Sequence, residues 1–150
     1  MISKKTKYAL KALTALARNY KNHQPSHIAD LAATERLPKK FLELILLNLK
    51  NEGVLVSKKG KGGGYMLSRN PDSITMGQVI RILEGTLSPL PCLSQRAYRK
   101  CDECQDESTC SIRAVMKEVR EATVQILDGT SLQDMLEREV ALEPVYAYAI

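Results

Sequence analysis

Cys92, Cys101, Cys104 and Cys110 are the four cysteines of this 150-residue chain, and they follow one another as C-x8-C-x2-C-x5-C. Thiolates are soft ligands, so four in so short a span can wrap an iron–sulfur cluster or take a tetrahedral zinc. A zinc ribbon would show two C-x-x-C pairs, and a thioredoxin-like redox pair would sit in a βαβ pattern; neither is legible here. Asp102, Glu103, Asp106 and Glu107 crowd the same stretch. Their negative charge raises a thiol pKa, which argues against an unusually nucleophilic thiolate. On spacing alone, iron–sulfur, zinc and buried thiols without metal all stay open.

No catalytic set accompanies them. The two histidines, His23 and His27, stand far from the cysteines in sequence, so no nucleophile–base pair is legible and no catalytic residue is expected. The run GKGGGY at 60–65 matches neither the P-loop nor the dinucleotide-binding glycine pattern, and no helix starts behind it, which excludes a nucleotide loop. The opening MISKKTKYALKALTALARNY lacks a cleavage site, and no segment reaches bilayer length. The expectation is a cytoplasmic protein without a membrane partner, where structural disulfides are rare.

Charge divides the chain. Residues 1–61 carry 13 Lys/Arg against 4 Asp/Glu, and residues 62–150 carry 9 against 13, within a net charge of +5. A basic front half joined to an acidic back half suits a polyanion-binding module beside a module with another task.

The elements that must position these groups are largely helical. Ala9, Leu10, Leu13, Leu16 and Ala17 recur at helical spacing and predict an amphipathic helix over Thr6 to Tyr20. Ser26 is a candidate N-cap for HIADLAA, and Pro38 suits the first position of PKKFLELILLNLKNE, which Gly53 stops. In that third helix Leu42, Ile45, Leu46 and Leu49 form the core stripe, and Lys40, Glu43, Leu44, Leu47 and Asn51 the opposite arc. A short helix, a turn and a longer basic-fronted helix make a helix-turn-helix pattern.

VLVSKKGKGGGYMLS then reads as a hairpin with a basic tip, a wing whose Lys58, Lys59 and Lys61 are available to phosphates or the minor groove. Thr75 caps MGQVIRILEG, which ends at Gly85. Residues 86–107 lack a period and read as a loop, long enough to suggest function. A long helix follows to Asp128, with Ile112, Val115, Val119, Ala122 and Ile126 at a/d spacing. Either that stripe packs inside its own chain or, the favoured reading, it forms a symmetric homodimer. A last helix, SLQDMLERE, is expected to lie beside it. The predicted fold is mainly α with a small β-hairpin wing: a winged helix-turn-helix over 1–85, a cysteine-bearing sensor loop over 86–110 and a helical dimerisation region over 111–150.

Taken together, KYALKALTALA, the helix-turn-helix, KKGKGGGYMLSR, ITMGQVIRILEG and the downstream cysteines make a combination that resembles the Rrf-two family of winged-helix transcription regulators over nearly the whole chain. Its members include iron–sulfur, nitric-oxide and iron regulators. The resemblance implies base reading by Lys39, Lys40, Glu43 and Leu44, and minor-groove entry by Lys59 with its neighbours Lys58 and Lys61. Members often carry small polar residues where this chain has Lys40 and Leu44, and an arginine at Lys59. The operator therefore differs, and Leu44 could touch a thymine methyl.

Cluster-bearing members use three cysteines in a C-x5-C-x5-C-like array, matched by Cys92 and the Cys104–Cys110 pair. Arg113 stands where one branch has a histidine ligand, and Lys7 where another draws an acidic ligand from the partner subunit. Neither cation ligates iron, which leaves Cys101 as the fourth ligand, an inference from this chain and not a family rule. The implied cofactor is an iron–sulfur cluster, 2Fe-2S ahead of 4Fe-4S, with zinc as the alternative. The implied function is a homodimeric regulator on a double-stranded DNA operator that senses cluster, redox or nitric-oxide status. The alternatives are a winged-helix DNA-binding protein with structural zinc, and a regulator whose main role is holding a partner enzyme.

Overall fold

The computed structural model describes residues 2–144, so the end of the helical region expected over 111–150 lies outside the described residues. The elements run α1 (Lys4–Asn19), α2 (Ile28–Glu35), α3 (Lys39–Asn51), β1 (Leu55–Lys58), β2 (Gly64–Leu67), α4 (Met76–Glu84), α5 (Ser111–Asp128) and α6 (Leu132–Leu142). This is the mainly helical chain with one antiparallel hairpin that the periodicity predicts.

α1 is the hub. Ser3 caps it by accepting from the Thr6 amide at 3.2 Å, and every residue from Ala12 to Ala17 is buried. The sequence pattern shows only one apolar face. The helix is buried on more than that face because its alanines and threonines are small enough for α2, α3, α4, α6 and β2 all to approach it. Thr14 tolerates burial by donating to the Leu10 carbonyl at 2.7 Å. Tyr8 meets Phe41 edge-on at 5.7 Å and fastens α1 to α3.

The helix-turn-helix differs in detail from the sequence expectation. Ser26 is not the cap of α2; His27 occupies that position without a side-chain cap. Ser26 instead exchanges two backbone hydrogen bonds with Tyr65 of β2, each 2.9 Å, and so adds a third edge to the wing. Gly64 permits this contact: at φ +149°, a Cβ there would lie 2.2 Å from the Ser26 carbonyl oxygen. Between α2 and α3 Arg36 turns left-handed at φ 55°. Leu37 N–H then reaches the Ala32 carbonyl at 2.9 Å, a Schellman-type closure that sets the angle of α3. Pro38 caps α3 and does not open it, a one-residue shift with the same physical basis.

ITMGQVIRILEG is a fastening strip. Thr75 caps α4 by accepting from the Gln78 amide at 3.2 Å, and Gly85 ends it at φ 85°. Arg81 makes a bidentate pair with Asp128 at the end of α5, at 2.6 and 2.8 Å. Gly77 makes room for it, since a Cβ there would meet the Asp128 carboxylate at 1.9 Å. At the other end Glu84 accepts from the Ser3 amide at 2.7 Å and the Thr6 hydroxyl at 2.5 Å; the Ser3 side chain first, then the Thr6 hydroxyl and the Ser3 amide, hold its carboxyl down at about 2 from 4.5.

A carboxylate held low stabilises the fold above its unfolded value, and that contribution fades as pH falls from about 4.5 toward about 2. Glu84→Gln is expected to cost about 1 kcal/mol at neutral pH and to remove part of the acid-induced loss of stability. Urea unfolding at pH 7 and pH 3.5 checks both.

α6 does not lie beside α5 as the sequence suggests. Ser131 and Asp134 form a capping box at its start, Leu132 is fully buried, and the helix seats on α1. Arg18 of α1 ties it down, pairing with Glu139 at 2.7 Å and with Glu35 of α2 at 3.0 Å. The reason is a pair of long-range bonds: the Leu132 amide bonds the Ile74 carbonyl and the Met76 amide the Thr130 carbonyl, both at 2.9 Å, which steers the chain back toward α1.

Candidate nucleic-acid interface and cysteine cavity

Leu42, Ile45, Leu46 and Leu49 are buried as the stripe of α3 requires. The same rotation leaves Lys39, Lys40, Glu43 and Leu44 exposed together on its outer side, with Leu44 65% exposed. Leu47, 48% exposed, shares that side; its place on the outer arc was legible in the sequence, although an apolar residue there drew no functional role. Lys58 closes β1, and Lys59 and Lys61 flank the tip, all three exposed. The tip turns through Gly60 and Gly62 at φ 94° and 79°. One helix face and one hairpin tip therefore present five lysines, chemistry that suits phosphate contacts around a few base-edge contacts.

The second site lies between α4 and α5. Residues 86–110 are folded on themselves by short bonds: Arg99 N–H reaches the Pro91 carbonyl at 3.1 Å, Ala97 N–H the Ser94 hydroxyl at 3.0 Å, and Cys104 N–H the Cys101 carbonyl at 3.1 Å. Tyr98 donates to the Glu107 carboxylate across the loop, and that bond raises the phenol pKa. Asp106 caps the turn before α5 by accepting from the Ser108 amide and hydroxyl at 2.9 and 2.6 Å, which lowers its own pKa.

This packing brings all four cysteines to one open cavity of about 510 Å³, with Leu90, Ile112 and Arg113 among its walls. All four thiols are free. Cys92 is buried at its base, Cys104 and Cys110 are half-buried, and Cys101 is exposed at its rim. Desolvation first, then the negative charge of the other three thiols and of Glu103, pushes the Cys101 thiol up. Cys110 is also the N-cap of α5, its sulfur accepting from the Arg113 amide at 3.4 Å. The Arg113 guanidinium donates to the Cys92 carbonyl at 3.4 Å, while its buried Nε has no hydrogen-bond partner.

Four free thiols around one cavity fit an iron–sulfur cluster in donor type and number. Among the described residues no three His, Cys, Asp or Glu side chains converge tightly enough to hold a single metal ion.

α5 leaves Ile112, Val115, Val119 and Ile126 exposed by 67, 59, 45 and 62%, and none of its residues is buried. The apolar row thus lies on a helix none of whose residues joins the buried core, and it forms an exposed apolar patch. Among the described residues no helix is long and apolar enough to cross a membrane.

The architecture has close counterparts. The solved structure of CymR (YrzC), the global cysteine regulator of B. subtilis, superposes with a TM-score of 0.77 at 31% identity, covering 92% of this chain and 97% of that one. T. potens IscR superposes with a TM-score of 0.74 at 25% identity over 99% and 96% of the two chains. An rrf2-like HTH-type transcriptional regulator of Rhodobacter capsulatus is 43% identical over 138 residues, 91% of this chain and 92% of its own. The relatives are transcription regulators of one family, not enzymes. With residues 2–138 also matching the family model Rrf2, described as an iron-dependent transcriptional regulator, the winged helix, the fastening strip and the long α5 have one explanation: this chain belongs to the Rrf2 family of transcription regulators.

Proposed function

We propose that two copies of the chain pair through α5, grip a partly palindromic operator with α3 and the wing, and sense iron–sulfur, redox or nitric-oxide status through a cluster held by Cys92, Cys101, Cys104 and Cys110. The observation that carries the sensing half is the convergence of four free thiols on one cavity. A bound cluster supplies a centre that electrons, oxidants and nitric oxide can alter. The chain's own part is transmission. Cys110 is both a cavity wall and the cap of α5, so a change in what its sulfur binds acts on the first turn of that helix. The far end of α5 is held to α4 through Asp128 and Arg81, and α4 holds the start of α1 through Glu84. Reordering of 86–110 thereby reaches the DNA-reading elements, with a coupling of about 1–3 kcal/mol.

Operator affinity measured anaerobically before and after cluster removal is expected to differ by about 5- to 150-fold, with helix content unchanged. Equal affinities would sink the sensing role and leave a DNA-binding protein alone. In that role Lys39, Lys40 and Glu43 would flank Leu44 in the major groove, and Leu44 would meet a thymine methyl. Replacing Lys58, Lys59 and Lys61 by Gln should reduce the slope of log K against log salt by about 0.9 for each phosphate no longer neutralised. An unchanged slope would place the wing off the DNA.

A further inference from the structure

Arg81 of α4, Arg96 of the loop and Arg120 of α5 converge on a cavity of about 60 Å³, with Thr86, Ser88 and Ser94 among its other walls. Arg81 and Arg96 also wall a neighbouring open cavity of about 400 Å³ beside Gln78 and Ile82, where Glu52 is the one carboxylate in the lining. Arg81 is paired with Asp128, but among the described residues Arg96 and Arg120 form no ion pair. No carboxylate lines the smaller cavity. Three guanidiniums around one concave space repel one another, and a single carboxylate on one of them leaves two charges uncompensated. The carbonyls at the C-terminus of α4 offset only about half a charge.

We propose that this cavity binds a small oxyanion, a phosphate or carboxylate group, clamped by Arg96 and Arg120 with help from the Thr86 and Ser94 hydroxyls, that of Ser88 being spent on the Leu90 carbonyl. Guanidinium forks match both groups bidentately. The space holds about four waters, the size of such a head group, and the neighbouring cavity leaves room for whatever the head group is attached to. Arg120 and Val124 lie on a different face of α5 from Ile112, Val115, Val119 and Ile126, so the site stays open when that row is covered. An occupant would tie the sensor loop to α4 and α5 at once, giving the regulator a second input that does not depend on the cysteines.

The test uses the full chain without cluster. Inorganic phosphate, sulfate and acetate are each titrated against chloride at constant ionic strength, and thermal stability is read. Saturable stabilisation beyond that of chloride is expected in the wild type, weakened at least tenfold in an Arg96→Gln/Arg120→Gln double variant and partly restored with Lys at both positions. Preference for phosphate over acetate would identify a phosphate-bearing ligand, and the reverse a carboxylate. The proposal is overturned by equal responses of wild type and double variant, or by no response beyond chloride. It also fails if the double variant binds operator several-fold more weakly with no added anion, since the arginines would then belong to the DNA surface.

Discussion

A Val119→Asp variant is expected to sediment as a monomer and to bind the operator about a hundredfold or more less tightly than the wild type, while its far-ultraviolet spectrum stays unchanged. The reason is where Val119 sits. It belongs to the exposed row of α5, and no residue of that helix is buried in its own chain, so a carboxylate there disturbs nothing in the protomer. Between two copies the same carboxylate would have to be buried in an apolar seam, at several kcal/mol. Losing the pairing turns the second half-site contact from an intramolecular event into an independent one, which is the source of the large effect on affinity. A dimeric Val119→Asp variant with normal binding would place the interface elsewhere.

The second large effect is expected at Cys101. Because its side chain is exposed at the rim and caps nothing, Cys101→Ser should leave the cluster-free fold intact and yet shed its cluster more than about a hundredfold faster, a larger cost than removing an outer-shell partner. Cys110 is a poorer probe, since its sulfur also caps α5. Arg113→Ala should have the smaller effect, because a guanidinium cannot ligate iron. Iron release followed at the visible absorption band measures all three. An equal rate for wild type and Cys101→Ser would return the fourth ligand to another residue.

Much of this was legible in the sequence because the signals are local. The α3 stripe, the Thr75 cap, the Gly85 stop and the basic hairpin tip each depend on residues a few positions apart, and the structure places them as expected. Apart from the one-residue shift at Pro38, the departures come from distant partners. Nothing near Ser26 announces that Tyr65 will claim its backbone, and nothing in SLQDMLERE says that the Ile74 carbonyl will turn α6 onto α1. Gly77 looks like a weak point of a helix until Asp128 is seen against it. The same holds for the sites. Cysteine spacing made ligation thinkable without showing that four thiols share a cavity. The arginine cavity is assembled from three separate elements, and no window of sequence contains it.

The visible absorption spectrum of the protein purified without oxygen tests the central claim most directly. The expected result is a coloured protein, with charge-transfer bands in the visible that bleach on exposure to oxygen or nitric oxide and fail to form in Cys104→Ala. A colourless protein with stoichiometric zinc, or with no metal and full operator binding, would contradict it.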